Sequence, residues 1–217
     1  MKVKWAWVVC VAVLFSLGCG RRETIPAAAQ ALAPVKVQPA IVFLGDSLTA
    51  GFGLESEETY PALIEKKIQA EKLPYRVVNA GVSGDTTAGG LSRMEWIWRG
   101  EAKMLFVALG ANDGLRGVPV EESYRNLEAI VQSARAHGCL VVLAGMKLPT
   151  NYGETYRQAF ERIYRDLAKV HGLTFIPFLL EGVGGRPEFL QADGLHPNRE
   201  GQKKIAETVW KALRPLL

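Results

Sequence analysis

The chain has 217 residues, 48% of them apolar and 22% charged, proportions that exclude wholesale disorder and fit one domain with an ordinary core. Its formal charge of +4 comes from 26 Lys and Arg against 22 Asp and Glu. Setting aside Lys2 and Lys4 leaves 24 basic residues against 22 acidic ones, a balance of +2; with no basic run, this gives no support for a nucleic-acid surface.

At the amino end, Lys2 and Lys4 precede an apolar stretch from Trp5 to Leu17. Thirteen helical residues reach roughly 20 Å, short of the ~30 Å hydrocarbon core. The stretch therefore reads as a signal peptide over residues 1–19 rather than a spanning anchor. Ser16-Leu17-Gly18-Cys19 resembles a bacterial lipobox, in which Cys19 is lipidated and becomes the new terminus. Ser16 stands where that pattern usually has Leu. Ordinary cleavage after Ala27-Ala28-Ala29 or Ala31-Leu32-Ala33 is the alternative. Of the three cysteines, Cys10 leaves with the signal and Cys19 is the lipidation candidate. Cys139 has no intramolecular partner and reads as a small core residue. Export to the periplasm or cell surface follows, either lipid-anchored or soluble. Residues 20–39, rich in Ala and Pro, read as a tether.

From residue 40 to 217 one domain is expected. Short continuous apolar runs at Ala40–Leu44, Tyr75–Val78, Met104–Leu109, Leu140–Ala144 and Thr174–Phe178 suit strands buried on both faces of a parallel sheet. Helical spacing separates them: Tyr124, Leu127, Val131 and Ala134; then Tyr156, Phe160, Ile163, Leu167 and Val170. A last helix carries Ile205, Val209, Ala212 or Leu213, and Leu216. Pro61 suits a first helical turn, and His137-Gly138 and His171-Gly172 suit helix ends. This alternation predicts a three-layer α/β/α domain with five parallel strands, for which the flavodoxin-like order 2-1-3-4-5 is the first expectation.

In such sheets, ligands bind beyond the carboxyl ends of the strands. Polar clusters follow the runs there: Gly45-Asp46-Ser47, Asn79 through Asp85, and Gly110-Ala111-Asn112-Asp113. The loop before the final helix adds Asp193 and His196. The set is suited to acyl transfer. Ser47, at a strand-to-helix turn, is the candidate nucleophile, with the helix N-terminus favouring developing negative charge. His196 is the base, imidazole being the side chain best matched to that task near neutrality. Asp193 accepts from the other ring nitrogen. The Ser47 and Gly84 backbone N–H groups and the Asn112 amide are candidate oxyanion donors.

These blocks resemble the SGNH (GDSL) hydrolase superfamily, whose four blocks supply Ser, Gly, Asn and His in that order. Here they are Gly45-Asp46-Ser47-Leu48, Ser83-Gly84-Asp85, Gly110-Ala111-Asn112-Asp113 and Asp193-Gly194-Leu195-His196-Pro197. The similarity is greatest to the bacterial thioesterase I / protease I / lysophospholipase group and its arylesterase relatives. It implies the same sheet order, no metal and no cofactor. It also implies hydrolysis of small-molecule acyl or aryl esters or thioesters, lysophospholipids among them, and a mobile loop at residues 113–119 over an acyl groove.

Other readings compete at single residues. Ser47 could merely cap a helix, and Ser83 is a rival nucleophile in a near G-x-S-x-G setting that has Asp85 for the last glycine. Asp193 with His196 could be a capping pair. Asp46, adjacent to the nucleophile, reads as a pin for the turn. His137 and His171 read as structural, and Met94-Glu95-Trp96-Ile97-Trp98 as helix packing with a possible substrate contact. Three dispersed histidines argue against zinc, and nucleotide-binding motifs are absent. At the level of function, deacetylation of polysaccharide by the same fold is the alternative substrate class. An anchored, non-catalytic binding lipoprotein is the alternative outside enzymology.

Overall fold

The computed structural model describes residues 38–217. The expected signal peptide, Cys19 and the expected tether as far as residue 37 lie outside the described residues.

Five parallel strands run β1 (Ala40–Gly45), β2 (Arg76–Gly81), β3 (Ala102–Ala108), β4 (Leu140–Ala144) and β5 (Thr174–Ile176). Their spatial order is 2-1-3-4-5, with β1 and β3 at the centre. Eight helices accompany them among the described residues: α1 (Ser47–Ala50), α2 (Tyr60–Ala70), α3 (Thr87–Ser92), α4 (Met94–Trp98), α5 (Ala111–Leu115), α6 (Val120–Ala136), α7 (Glu154–His171) and α8 (Arg199–Leu213). α2 packs with α8, while α6 packs with α3 and α7, giving one layer on each face of the sheet.

The continuous apolar runs reflect burial on both faces only at the centre. β1 is buried throughout and β3 is buried from Met104 onward. β2, at an edge, is half-buried along most of its length, so the expectation of two covered faces fails there. β2 also continues three residues past Val78. Asn79 stays in the ladder opposite Phe43 because its own amide is occupied: Nδ2 donates to the Thr49 carbonyl at 2.9 Å, and Oδ1 accepts the Gly81 N–H at 2.9 Å. β5 stops two residues short of Phe178, since Pro177 has no N–H to continue the ladder.

Phe43, Phe106 and Tyr60 pack against one another at the centre, and Phe160 and Tyr164 do so on the other face. Pro61 occupies the first turn of α2, and His137 and Gly172 cap α6 and α7. On α7 the buried stripe is Phe160, Ile163, Tyr164, Leu167 and Ala168. Val170 is 67% exposed, because the step from Leu167 reaches the core through Ala168 instead.

Two glycines let the carboxyl end of the sheet close up. Gly45 and Gly81 face each other across β1 and β2, and α1 lies directly against both. A Cβ at Gly45 would come 2.0 Å from Thr49 Oγ1, and one at Gly81 would come 2.3 Å from the Ala50 nitrogen. The single-turn helix carrying Ser47 is seated on the strand ends only because both side chains are missing.

Candidate active site

Ser47 is the first residue of α1, immediately beyond β1. Asp46 caps that turn, its Oδ1 accepting the Leu48 N–H at 3.0 Å, as its reading as a pin requires. α1 is one turn long, so its dipole adds little, and discrete donors must do the electrostatic work.

The chain returns to Ser47 from 149 residues away. Leu190 bridges to Pro197 in an antiparallel pair, and the Gln191 N–H donates to the His196 carbonyl at 2.8 Å, closing a tight loop. Inside it Asp193 Oδ1 accepts the N–H groups of Leu195 (2.9 Å) and His196 (3.0 Å). Its Oδ2 lies 2.6 Å from His196 Nδ1. These bonds, the histidine contact foremost, lower the Asp193 carboxyl to a pKa of about 2. An ionised carboxylate on Nδ1 keeps the proton there, so the lone pair of Nε2 faces the Ser47 hydroxyl at 3.0 Å. The Phe52 ring lies against the imidazole, centroids 4.6 Å apart.

The candidate oxyanion donors converge on the same place. Among the described residues the N–H groups of Ser47 and Gly84 have no protein acceptor. Gly84 adopts a φ of 80°, a region open to glycine, and its carbonyl accepts from Arg116 Nη2 at 2.9 Å. Asn112 Nδ2 donates to the Asp85 carbonyl at 2.9 Å. Its other contact, Asp46 Oδ2 at 3.5 Å, is too long to hold the second hydrogen firmly, which leaves it for a substrate oxygen. Asp46 is 1% exposed, and burial raises its carboxyl to a pKa of about 6 against the opposing pull of the Leu48 N–H and the His196 charge. Asn112 is fixed from below by its neighbour. Buried Asp113 accepts from the Thr87 N–H (2.9 Å), the Thr87 hydroxyl (2.5 Å) and, more weakly, the Ser123 hydroxyl (3.4 Å).

The triad opens into a groove of about 660 Å³ with largely apolar walls, including Leu115, Met146, Leu148, Phe178, Leu180 and Leu190. That is the size range of small-molecule sites. Lys147 stands at its rim, exposed, with Nζ 5.0 Å from the Phe178 ring. Of residues 113–119, expected as a mobile loop, the first three close α5 and Leu115 lines the groove; the segment is tied by two phenols, Tyr152 donating to the Leu115 carbonyl and Tyr156 to that of Val118, each at 3.0 Å.

The remaining candidates sit elsewhere or lack partners. Ser83 lines the groove, but the hydroxyl that meets His196 Nε2 is that of Ser47. His137 stacks on Trp98 and His171 pairs with Glu128 at 3.3 Å, both at the opposite end of the sheet. Trp96 and Trp98 do not line the groove. Burial lifts the Cys139 thiol to a pKa of about 11, consistent with a packed residue rather than a nucleophile. Among the described residues no cluster of three or more His, Cys, Asp or Glu could hold a metal ion.

Three residues of the site carry no sequence signal of their own. Phe52 covers the imidazole, Gln191 joins the two halves of the triad, and Gln202 of α8 ties the nucleophile's turn to α2. A helix-borne glutamine and an aromatic in a loop are ordinary in any sequence. Only their contacts distinguish them.

Comparison with known proteins bears on the family and the fold. A family model described as the GDSL-like lipase/acylhydrolase family matches residues 43–204. Esterase TesA of Pseudomonas aeruginosa is 44% identical over 178 residues, 82% of this chain and 89% of the relative. The thioesterase 1/protease 1/lysophospholipase L1 of Escherichia coli K12 is 39% identical, covering 82% of this chain and 84% of its own. Among solved structures, the psychrotrophic esterase EstA from a Pseudoalteromonas species, inhibited by monoethylphosphonate, is 31% identical with a TM-score of 0.78. That match covers 82% of this chain and 97% of the esterase.

Proposed function

The chain belongs to the GDSL-like lipase/acylhydrolase family and is a serine ester hydrolase, and from that premise we propose that Ser47, His196 and Asp193 carry its chemistry. His196 Nε2 takes the Ser47 proton as Oγ attacks the acyl carbon. The tetrahedral oxyanion is held by the N–H groups of Ser47 and Gly84 and by Asn112 Nδ2. The imidazolium then protonates the departing alcohol or thiol, leaving acyl-Ser47, which water, activated by the same histidine, hydrolyses. The observation that carries this reading is the unbroken contact chain from Ser47 Oγ (3.0 Å) to His196 and on to Asp193 (2.6 Å) at the mouth of the groove.

The substrates we assign are acyl and aryl esters and thioesters, lysophospholipids included. An apolar wall suits an acyl chain better than the acetyl group of a polysaccharide. The names of the two relatives, an esterase and a thioesterase/lysophospholipase, point the same way. The test is a series of p-nitrophenyl esters and acyl thioesters of graded length on wild type and Ser47→Ala. We expect kcat/KM to rise from acetyl toward medium chains and turnover to vanish in the variant. A steady fall beyond acetyl would transfer the assignment to carbohydrate deacetylation.

We further propose export, with the signal in residues 1–19 cleaved ahead of Cys19, Cys19 lipidated as the new terminus and residues 20–39 as a tether. Metabolic labelling with an alkynyl fatty acid should mark the wild-type protein and not Cys19→Ser. An unlabelled wild type would leave the exported, unanchored form.

A further inference from the structure

Two stretches far apart in the chain must meet for the triad to exist, the nucleophile's turn at residues 45–53 and the loop at residues 190–197, joined by contacts spanning 139 and 149 residues. The backbone of neither reaches the other directly through Ser47 or His196. The side chain of Gln191 does. Its Nε2 donates to the Phe52 carbonyl at 2.7 Å and to the Pro197 carbonyl at 3.1 Å. Its backbone N–H donates to the His196 carbonyl at 2.8 Å, and the Phe52 N–H donates to the Ser47 carbonyl at 3.1 Å. Gln191 thus stands one hydrogen bond from His196 and two from Ser47. Both partners of the carboxamide are carbonyl oxygens, which fixes its NH2 toward them. Gly53 leaves room for it, since a Cβ there would come 2.5 Å from Gln191 Oε1.

We propose that Gln191 is a positioning residue for catalysis: its carboxamide clamps the nucleophile's turn to the histidine loop and so sets the Ser47–His196 separation. It touches neither substrate nor the reacting atoms. Its action runs through Phe52, whose ring also backs the imidazole, and through the carbonyls flanking His196. Gln202 makes a deeper bridge of the same kind, accepting from the Tyr60 N–H at 2.8 Å and donating to the Leu48 carbonyl at 3.3 Å. Being fully buried, it reads as part of the core, whereas Gln191 is half-buried and can be altered with less cost to folding. A proton-transfer contact loses efficiency steeply with misplacement, so a clamp of this sort should appear in kcat rather than in KM.

The proposal rests on the serine-hydrolase mechanism given above, and two variants test it separately from that mechanism. Gln191→Met keeps the volume and loses both donors. In purified full-length protein, kcat on a p-nitrophenyl ester should fall ten- to a hundredfold with KM within threefold, and fluorophosphonate labelling of Ser47 should slow in parallel. Gln191→Glu sets a carboxylate against two carbonyl oxygens, and only its protonated form can restore a donor. Its deficit relative to wild type should therefore shrink as pH falls from 8 to 5.5, while the methionine variant's ratio stays flat. An active wild type with Gln191→Met within twofold in kcat, or with a change confined to KM, would overturn the clamp alone. If the methionine variant does not fold, a glutamate variant with a deficit independent of pH overturns it equally. A wild type without turnover would defeat the mechanism instead.

Discussion

The two ends of the sheet carry the same kinds of residue and do different things with them. At the amino end, His171 faces Glu128 at 3.3 Å and His137 lies on Trp98, each beside a helix terminus. At the carboxyl end, His196 faces Asp193 at 2.6 Å. Both ends therefore hold an imidazole–carboxylate pair, and charge pairing alone does not separate them. What separates them is the third partner and the space in front of it. His196 has a hydroxyl 3.0 Å from its free nitrogen and an apolar groove beyond, with unclaimed backbone N–H groups alongside. His171 is tied to its neighbours, its carbonyl accepting from Arg135. An acid–base pair becomes a reaction centre when the fold brings a nucleophile and empty donors to it.

Substitutions can break that contrast, in order of decreasing effect. Ser47→Ala and His196→Ala should each lower kcat by about 10⁴-fold or more, since these groups act as a unit; stopped assays with a chromogenic ester measure it, and a loss below tenfold would return His196 to the status of His171. Asn112→Ala should cost about 10²–10³ in kcat with little change in KM, as one oxyanion donor does elsewhere, read in the same assay.

Asp46→Asn should sharpen the contrast through stability. The folded-state pKa of Asp46, about 6, lies above its ordinary 3.8, so the native state holds this proton more tightly than the unfolded chain. The carboxylate's burial cost is thus absent below pH 4, grows between pH 4 and 6 and is complete above 6. A shift of that size corresponds to on the order of 2–3 kcal/mol. The asparagine variant, which still accepts the Leu48 N–H, should melt several degrees higher than wild type at pH 8 and equally at pH 4. Calorimetry across that range decides it; a variant less stable at pH 8 would mean the carboxylate is needed for more than its cap. The opposite sign holds for Asp193. Its pKa is lowered to about 2, so its pairing with His196 persists down to about pH 4 and is lost as pH falls toward 2. The smallest effect belongs to the amino end. His171→Ala should leave kcat within twofold and cost no more than about 1 kcal/mol, because its partner is partly exposed.

The sequence disclosed the carboxyl end far better than the joints that hold it. Ser47, Gly84, Asn112, Asp193 and His196 are legible because acyl transfer demands those residue types, and each lies just beyond a strand or before the last helix. The parallel three-layer architecture is legible because five apolar runs alternate with helical spacing. The order 2-1-3-4-5 is a first expectation and an implication of the resemblance, since alternation does not encode which strands pair. Edge position was not legible: the run at residues 75–78 resembles a central strand until β2 is seen half-buried, with Asn79 carried inside the ladder by its own amide. Val170 kept the helical step and still faces water, since Ala168 fills the core place ahead of it. Gln191 could not be read at all. Its meaning lies in a carbonyl 139 residues away, and no local pattern encodes that.

β1 begins at Ala40 and ends at Gly45, and Ser47 follows at once. The chain therefore enters the domain at one end of the sheet and reaches its nucleophile at the other, about 20 Å away along a six-residue strand. Ala40 and the mouth of the groove thus lie at opposite ends of the sheet. A group attached directly at the start of β1 would therefore leave from the end of the sheet opposite the groove, clear of the path by which substrate reaches Ser47.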